Sequence, residues 1–503
     1  MRTKGITRWL RAFLVCWACC ILVAGFAQGD SLAAAYGNTI TADELMGSLR
    51  VLASDSMEGR DTGKRGQKIA AAYLRAAFES MGIPPVPEPY GARVKEGYFQ
   101  EFDLIETRSG GISLERGRSK LGLGDGLVYF NELLGPGRSR VGPVHYAGHC
   151  RDAAAESDKK AKSVLVDGSA IEPREIRACL EQLRGLSPEL LFVYVENLDP
   201  WLGFIHAEDT RMRLANDDLR QRERSGAQVI LLDERGLTML LGRRRAKSFR
   251  NAAAGAIWDS RAFLVVRPNE QRIVSENVLA FIEGTDLKDE LVVLTAHYDH
   301  VGMVDGVVYN GADDDGSGTV ALIEIAEAFA LARSAGHGPR RSVLIMPVSG
   351  EEKGLLGSRY YSDNPVWPLD RTVANLNIDM IGRRDSAHAT ADPYVYIIGS
   401  DRLSKELHQL NESVNERFVG LRLDYAFNGE DDPNRFYYRS DHYNFARKGI
   451  PCIFYFSGVH EDYHQPGDDV ERIEPGLLEQ RARLVFHTAW ELANRPDRVA
   501  LDE

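Results

Sequence analysis

Four apolar runs in the C-terminal half of the chain, Leu291–Ala296, Val343–Val348, Val395–Ile398 and Pro451–Phe456, alternate with helical stretches. A run without polar alternation is a strand buried on both faces, the pattern of a parallel sheet covered by helices. The expected fold class is therefore α/β, with a mixed, mostly parallel sheet flanked by helices and a smaller inserted β-rich domain. Two runs lead directly into side chains that can bind metals: Leu291–Ala296 into His297-Tyr298-Asp299-His300, and Val343–Val348 into Ser349-Gly350-Glu351-Glu352. The C-terminal edge of such a sheet is where ligands bind.

Upstream, Leu45, Leu49 and Leu52, then Ala70, Tyr73, Leu74 and Phe78, recur at three- and four-residue spacing, which predicts two amphipathic helices joined by a loop with Gly59, Gly63 and Gly66. Pro84, Pro85, Pro87 and Pro89 then break the chain before a strand-like Tyr98–Leu104. Residues 120–265 have a different texture. Short apolar runs at Leu127–Phe130, Ser163–Val166, Leu190–Val195 and Gln228–Leu232 are separated by charged segments, as in a self-contained insert. The expected division is a signal peptide at 1–29, the two parts of a main domain at 30–119 and 266–503, and the insert at 120–265.

The 503-residue chain carries 61 basic and 73 acidic residues. Residues 1–29 hold Arg2, Lys4, Arg8 and Arg11 and no acid, so the remainder has 57 basic against 73 acidic residues, a net charge of −16. No nucleic-acid partner is expected of so acidic a chain. The cationic start, the apolar Ala12–Phe26 and the small residues Gly25, Ala27 and Gly29 have the three-part layout of a secretory signal. The expected location is outside the cytoplasm, periplasmic or extracellular, with membrane attachment only through this segment if it stays uncleaved. Beyond it lie Cys150, Cys179 and Cys452, too few for a disulfide framework. Cys150 and Cys179 are candidates to pair in an oxidising compartment, and Cys452 reads as a buried small hydrophobe.

Further ligand candidates stand in Asp313-Asp314-Asp315-Gly316-Ser317-Gly318, in Asn377-Ile378-Asp379-Met380 and in Asp462-Tyr463-His464. With Ala296-His297-Tyr298-Asp299-His300, Glu351-Glu352, Ile381-Gly382 and the preceding Gly311-Ala312, this ordered set resembles the co-catalytic dizinc aminopeptidase family of the bacterial leucyl aminopeptidase type. The resemblance covers about residues 275–485, and Leu52-Ala53-Ser54-Asp55 through Gly59-Arg60 is similar to the family's N-terminal helical section.

The resemblance implies two Zn²⁺ per chain, one held by His297 and Asp379, the other by Glu352 and His464, with Asp314 bridging them. Three ligand carboxylates and one shared hydroxide neutralise two such ions, and zinc holds hydroxide at neutral pH. It further implies Glu351 as general base and then proton donor to the leaving amine, and Tyr463 as hydrogen-bond donor to the carbonyl oxygen under attack. Asp299, two residues after His297, is expected to accept the second imidazole N–H and fix its tautomer. The activity so implied is that of an exported zinc metallo-aminopeptidase acting on peptides with a free N-terminus. A glutaminyl-cyclase-like or carboxypeptidase-like relative, or a non-catalytic peptide-binding receptor on the same fold, are the alternatives.

Other motifs are read as scaffold. His460-Glu461-Asp462-Tyr463-His464 satisfies the H-E-x-x-H pattern, but Gly458 before it and Pro466-Gly467 after it deny the helix that pattern needs, so His460 and Glu461 are expected in a loop. Gly316 and Gly318 let the chain turn closely under Asp314. Ser440-Asp441-His442 lacks a nucleophile elbow and is expected to support the pocket. The basic run Arg243–Arg245 reads as a solvated face. The insert is similar to a protease-associated domain by its place before Ser275-Glu276-Asn277-Val278 and by the runs Ser163–Gly168 and Gln228–Leu241.

Overall fold

The computed structural model describes residues 30–502 except 88–93, 96, 109, 130–135, 151–160, 177–187, 203–209, 218–226 and 268. The expected signal segment and Cys179 lie outside the described residues. Cys150 is buried and disulfide-bonded, and Cys452 is a free, buried thiol. Among the described residues no helix is long and apolar enough to cross a membrane.

The chain forms two compact units, one from residues up to Asp103 together with Val274 onward, the other Leu104–Ile273. In the first, seven strands form one sheet: β1 (Ala280–Ile282), β2 (Leu287–His297), β3 (Arg341–Val348), β4 (Thr372–Ile378), β5 (Tyr394–Ile398), β6 (Arg422–Asp424) and β7 (Cys452–Phe456). They lie in the order β1-β3-β2-β4-β7-β5-β6. The neighbours β3/β2, β2/β4, β4/β7 and β5/β6 are parallel, and only β1/β3 and β5/β7 run antiparallel. Every residue of β3, β4, β5 and β7 is buried, as the apolar runs in β3, β5 and β7 require; β4 also buries Thr372, Asn375 and Asn377.

Helices supply the cover. The helix α1 (Ala42–Leu52) buries Leu45, Met46, Leu49 and Leu52, and α2 (Arg65–Ser80) buries Ala70, Ala71, Leu74 and Phe78. Thr41 caps α1: its hydroxyl accepts the Glu44 amide at 3.3 Å and donates to the Glu44 carboxylate at 2.7 Å. Between β2 and β3 runs α3 (Gly318–Ser334), apolar nearly all round and buried along most of its length, so it is an interior helix rather than a surface one. The long α4 (Pro475–Asn494) adds Leu478, Val485, Phe486 and Trp490 to the same core.

The second unit is wider at both ends than the 120–265 expected from texture. Its sheet of eight strands includes Ile112–Arg116, which pairs with Ile257–Val266, and Leu104–Arg108 pairs with Thr210–Leu214. These flanking strands alternate or carry charge, so they do not stand out as apolar runs. The sheet's central strands Gly137–His149, Ser163–Asp167, Leu190–Tyr194 and Gln228–Leu232 are parallel, with apolar clusters on both faces. Arg243, Arg244 and Arg245 are exposed on a short helix.

Candidate metal centre

The parallel register sets the site. His297, the last residue of β2, lies level with Val348, the last residue of β3, so the Glu351-Glu352 turn follows at the same edge. Asp379 follows β4, its amide donating to Tyr455 O on β7 at 3.2 Å, and His464 lies in the loop beyond β7. Asp314 sits in the turn entering α3. A Cβ at Gly318 would collide with the Asp315 carboxylate, and one at Gly316 would lie 2.8 Å from Gly311 O, so the glycines permit this tight turn.

Here the side chains converge. His297 Nε2 is 3.2 Å from Asp314 Oδ1, 3.6 Å from Asp379 Oδ1 and 4.0 Å from Glu351 Oε2. His464 Nε2 is 3.0 Å from Asp314 Oδ2 and 3.1 Å from Glu352 Oε2. Asp314 thus turns one oxygen towards each histidine, as a bridging carboxylate would. His464 has φ of 54°, a left-handed conformation rare outside glycine that aims its ring inward.

Two residues beside the expected set also enter the cluster. His300, fully buried, places Nδ1 2.9 Å from Glu352 Oε1 and 3.8 Å from Asp314 Oδ2. His300, Asp314 and Glu352 have donor atoms within 4.8 Å of one another, as do His297, Asp315 and Asp379. Asp315, however, is occupied by backbone: it accepts from the amides of His297 (3.1 Å), Gly318 (2.9 Å) and Met380 (3.0 Å). Its carboxylate therefore ties three ligand-bearing segments together instead of facing a cation. His300 stood in the sequence among the metal-capable residues that follow β2, without a role of its own. Ser440 was visible only as a pocket support; its hydroxyl donates to Asp379 Oδ2 at 2.6 Å and accepts from Asn377 Nδ2 at 2.8 Å.

Asp299 does not do what its spacing suggested. His297 Nδ1 meets the backbone carbonyl of Asp299 at 3.0 Å, whereas the nearer carboxylate oxygen is 3.9 Å away. The chain turns back after His297, which brings the carbonyl to the ring. The carboxylate instead accepts the Thr62 hydroxyl at 2.6 Å and the Glu351 amide at 3.3 Å. It thereby holds the turn that carries the expected base. Tyr463 lies over His464 with ring centres 4.0 Å apart and lines the cleft. The segment from His460 to His464 is not helical; His460 is a buried residue 3.3 Å from Asp313, while His464 faces Asp314.

The electrostatics suit cations. Burial disfavours the charged forms of His297 and His464, yet the carboxylates around them prevail: His297 is pushed well above the ordinary imidazole range and His464 to about 10. Burial opposes ionisation of Asp314 too, but His297 and His464 hold it well below the ordinary carboxyl range. Glu351 is raised well above that range, chiefly by burial. Asp314 Oδ2, Glu352 Oε1 and both His300 ring nitrogens are buried without a well-formed hydrogen bond among the described residues. Unsatisfied carboxylate oxygens and imidazole nitrogens at one point are costly without a positive ion. The oxygen and nitrogen donors fit zinc.

Above the cluster is a cleft with His297, Asp314, Glu351 and Asp379 on its floor and Met380, Phe436, Phe454, Phe456 and Val459 along its wall.

Residues 277–489 match the profile of Peptidase family M28. A probable zinc metalloprotease of Pyrenophora teres f. teres is 25% identical over 260 residues, covering 44% of this chain and 53% of that protein. Aminopeptidase YwaD of Bacillus subtilis is 28% identical over 229 residues, covering 44% of this chain and 45% of that one. The chain thus spans about half the length of the curated relatives it matches. The solved aminopeptidase from Aneurinibacillus sp. strain AM-1 has the same fold, with a TM-score of 0.52 at 17% identity over 93% of this chain and 97% of that one. The β2–β3–β4–β7 edge and its candidate ligands lie inside the region, residues 277–489, that matches Peptidase family M28.

Proposed function

We propose that the protein is a zinc aminopeptidase that removes N-terminal residues from peptides. The observation that carries this reading is the meeting of His297, Asp314, Glu352, Asp379 and His464 around unsatisfied carboxylate oxygens, beside a cleft that also contains Glu351. His297 and Asp379 would hold one zinc and Glu352 and His464 a second, with Asp314 between them. Bound there, zinc supplies a Lewis acid that polarises a carbonyl and activates water.

The chain's own groups do the rest. Glu351, with its high proton affinity in a buried setting, accepts a proton from the attacking water and passes it to the departing amine nitrogen. Asp299 fixes the turn bearing Glu351 through the amide contact. Tyr463 donates its hydroxyl to the carbonyl oxygen as negative charge gathers there. The apolar wall receives the side chain of the first residue, and the floor carboxylates attract its free amine. Export through residues 1–29, and a protease-associated role of the second unit in restricting access to chain ends, belong to the same reading.

The test is a panel of aminoacyl anilides run on metal-depleted and zinc-restored protein. Zinc-dependent cleavage of free-amine substrates, with N-acetylated analogues left intact, is the expected result. Cleavage of the acylated analogues alone refutes the exopeptidase assignment.

A further inference from the structure

The cleft contains one cation that the proposed chemistry does not use. Among the described lining residues, Arg439 is the only arginine or lysine, and it is an exposed side chain at the end of the Phe436–Tyr438 turn. Its guanidinium lies over the Phe436 ring, 4.9 Å from the centroid. No carboxylate of the described residues pairs with it, although Asp314, Glu351 and Asp379 line the same cleft.

Several other cations of this unit are committed. Arg383 pairs with Asp462 at 2.7 Å and Glu461 at 3.2 Å, and Lys353 with Asp61 at 2.9 Å. Arg60 and Arg481 spend their donors on backbone carbonyls. An arginine laid on an aromatic face keeps its planar fork of donors presented to one side, a geometry matched to a carboxylate. Its donors are open to a partner from outside the chain.

We propose that Arg439 is a specificity-determining residue that grips a carboxylate of the substrate. This rests on the aminopeptidase reading. Arg439 lines the same cleft as His297, Asp314 and Glu351, so the carboxylate belongs close to the scissile bond. It has two sources: the C-terminal carboxylate of a dipeptide, or an acidic side chain on the first residue. Either makes the enzyme favour anionic substrates over neutral ones of the same shape.

The experiment compares the zinc-restored full chain with its Arg439→Gln and Arg439→Lys variants on four substrates: Leu-Gly, Leu-Gly amide, Leu p-nitroanilide and Glu p-nitroanilide. Arg439→Gln should raise KM about tenfold or more for the carboxylate-bearing member of one pair, as expected for loss of a charge-assisted hydrogen bond. The neutral member should keep its kcat and KM, and Arg439→Lys should recover part of the loss. An effect confined to Leu-Gly assigns the C-terminal carboxylate, and one confined to Glu p-nitroanilide assigns the side chain. Equal effects on charged and neutral substrates, or none, overturn the proposal.

A binding measurement separates this from the function itself. Calorimetry on zinc-loaded Glu351→Gln protein should show Leu-Gly or Glu-containing ligand binding more tightly than its neutral counterpart, and Arg439→Gln added to it should erase that difference. Should the parent protein hydrolyse nothing while the Arg439-dependent difference persists, the hydrolase reading falls and the carboxylate site stands. A difference that survives without Arg439 removes the site.

Discussion

Glu351 and Glu352 are consecutive in the chain and lie on opposite sides of the ordinary carboxyl range. Burial lifts Glu351 well above it, aided by Asp379, Glu352 and Asp441. Glu352 is equally buried and also feels Asp314, yet contacts from His300 and His464 bring it down to about 2. One turn thus presents a carboxyl that holds a proton tightly and a carboxylate that stays charged, the division of labour expected of an acid–base group beside a ligand.

That division predicts the phenotype of Glu351→Gln. Since Glu351 is outside the proposed ligand set, zinc content by elemental analysis should equal that of the parent protein. Turnover of Leu p-nitroanilide should fall by about 10²–10⁴-fold, the range for loss of a general acid–base group. A variant with full zinc and undiminished kcat would remove Glu351 from the chemistry.

A second expectation concerns Arg60, fully buried with φ of 55°. It donates to Tyr298 O at 2.7 Å, Leu52 O at 2.9 Å, Asn310 O at 2.6 Å and Gly311 O at 2.8 Å. These carbonyls belong to α1, to the residue after His297 and to the stretch entering the Asp314 turn. Arg60→Met leaves them without a donor, which should cost on the order of 3 kcal/mol or more. The variant should melt well below the parent and bind zinc more weakly. Unchanged melting and unchanged zinc affinity would show that the carbonyls are satisfied in another way.

Arg60 also marks where sequence reading stops. The positions of His297 and Glu352 were legible because each follows an apolar strand, and the strand ends share one edge, while Asp379 was legible through the Asn377-Ile378-Asp379-Met380 motif. The fan of carbonyls around Arg60 comes from three distant segments and leaves no local pattern. Asp299 shows the same limit at short range. Spacing placed its carboxylate on His297, while the fold offered it Thr62 and the Glu351 amide, and the backbone carbonyl took the imidazole. His300 was left without a role for a related reason: that its ring reaches Glu352 depends on how β2 and β3 are paired. The edges of the second unit were blurred because its outer strands, such as Ile112–Arg116, carry charged residues.

A third expectation is a pH dependence of stability from Glu324 on α3. This side chain is 4% exposed, and burial, with Glu327 and Glu44 nearby, pushes its carboxyl up to about 8. The folded state therefore binds the proton more tightly than the unfolded chain, whose value is near the ordinary 4.5. The corresponding stability is present in full below pH 4.5, declines as pH rises, and is lost above about 8. The loss is on the order of a few kcal/mol. Glu324→Gln removes the titrating group, so melting curves from pH 5 to 9 should diverge from those of the parent, with the variant increasingly the more stable. Parallel curves over that range would contradict the assignment.

The account rests on a metal cluster at the edge formed by β2, β3, β4 and β7. Anomalous diffraction at the zinc edge, from crystals of the zinc-restored protein, tests it most directly. Two peaks per chain are predicted, one in contact with His297 and Asp379, the other with Glu352 and His464, with Asp314 touching both. No peak at this edge, or zinc bound only elsewhere on the chain, would contradict it.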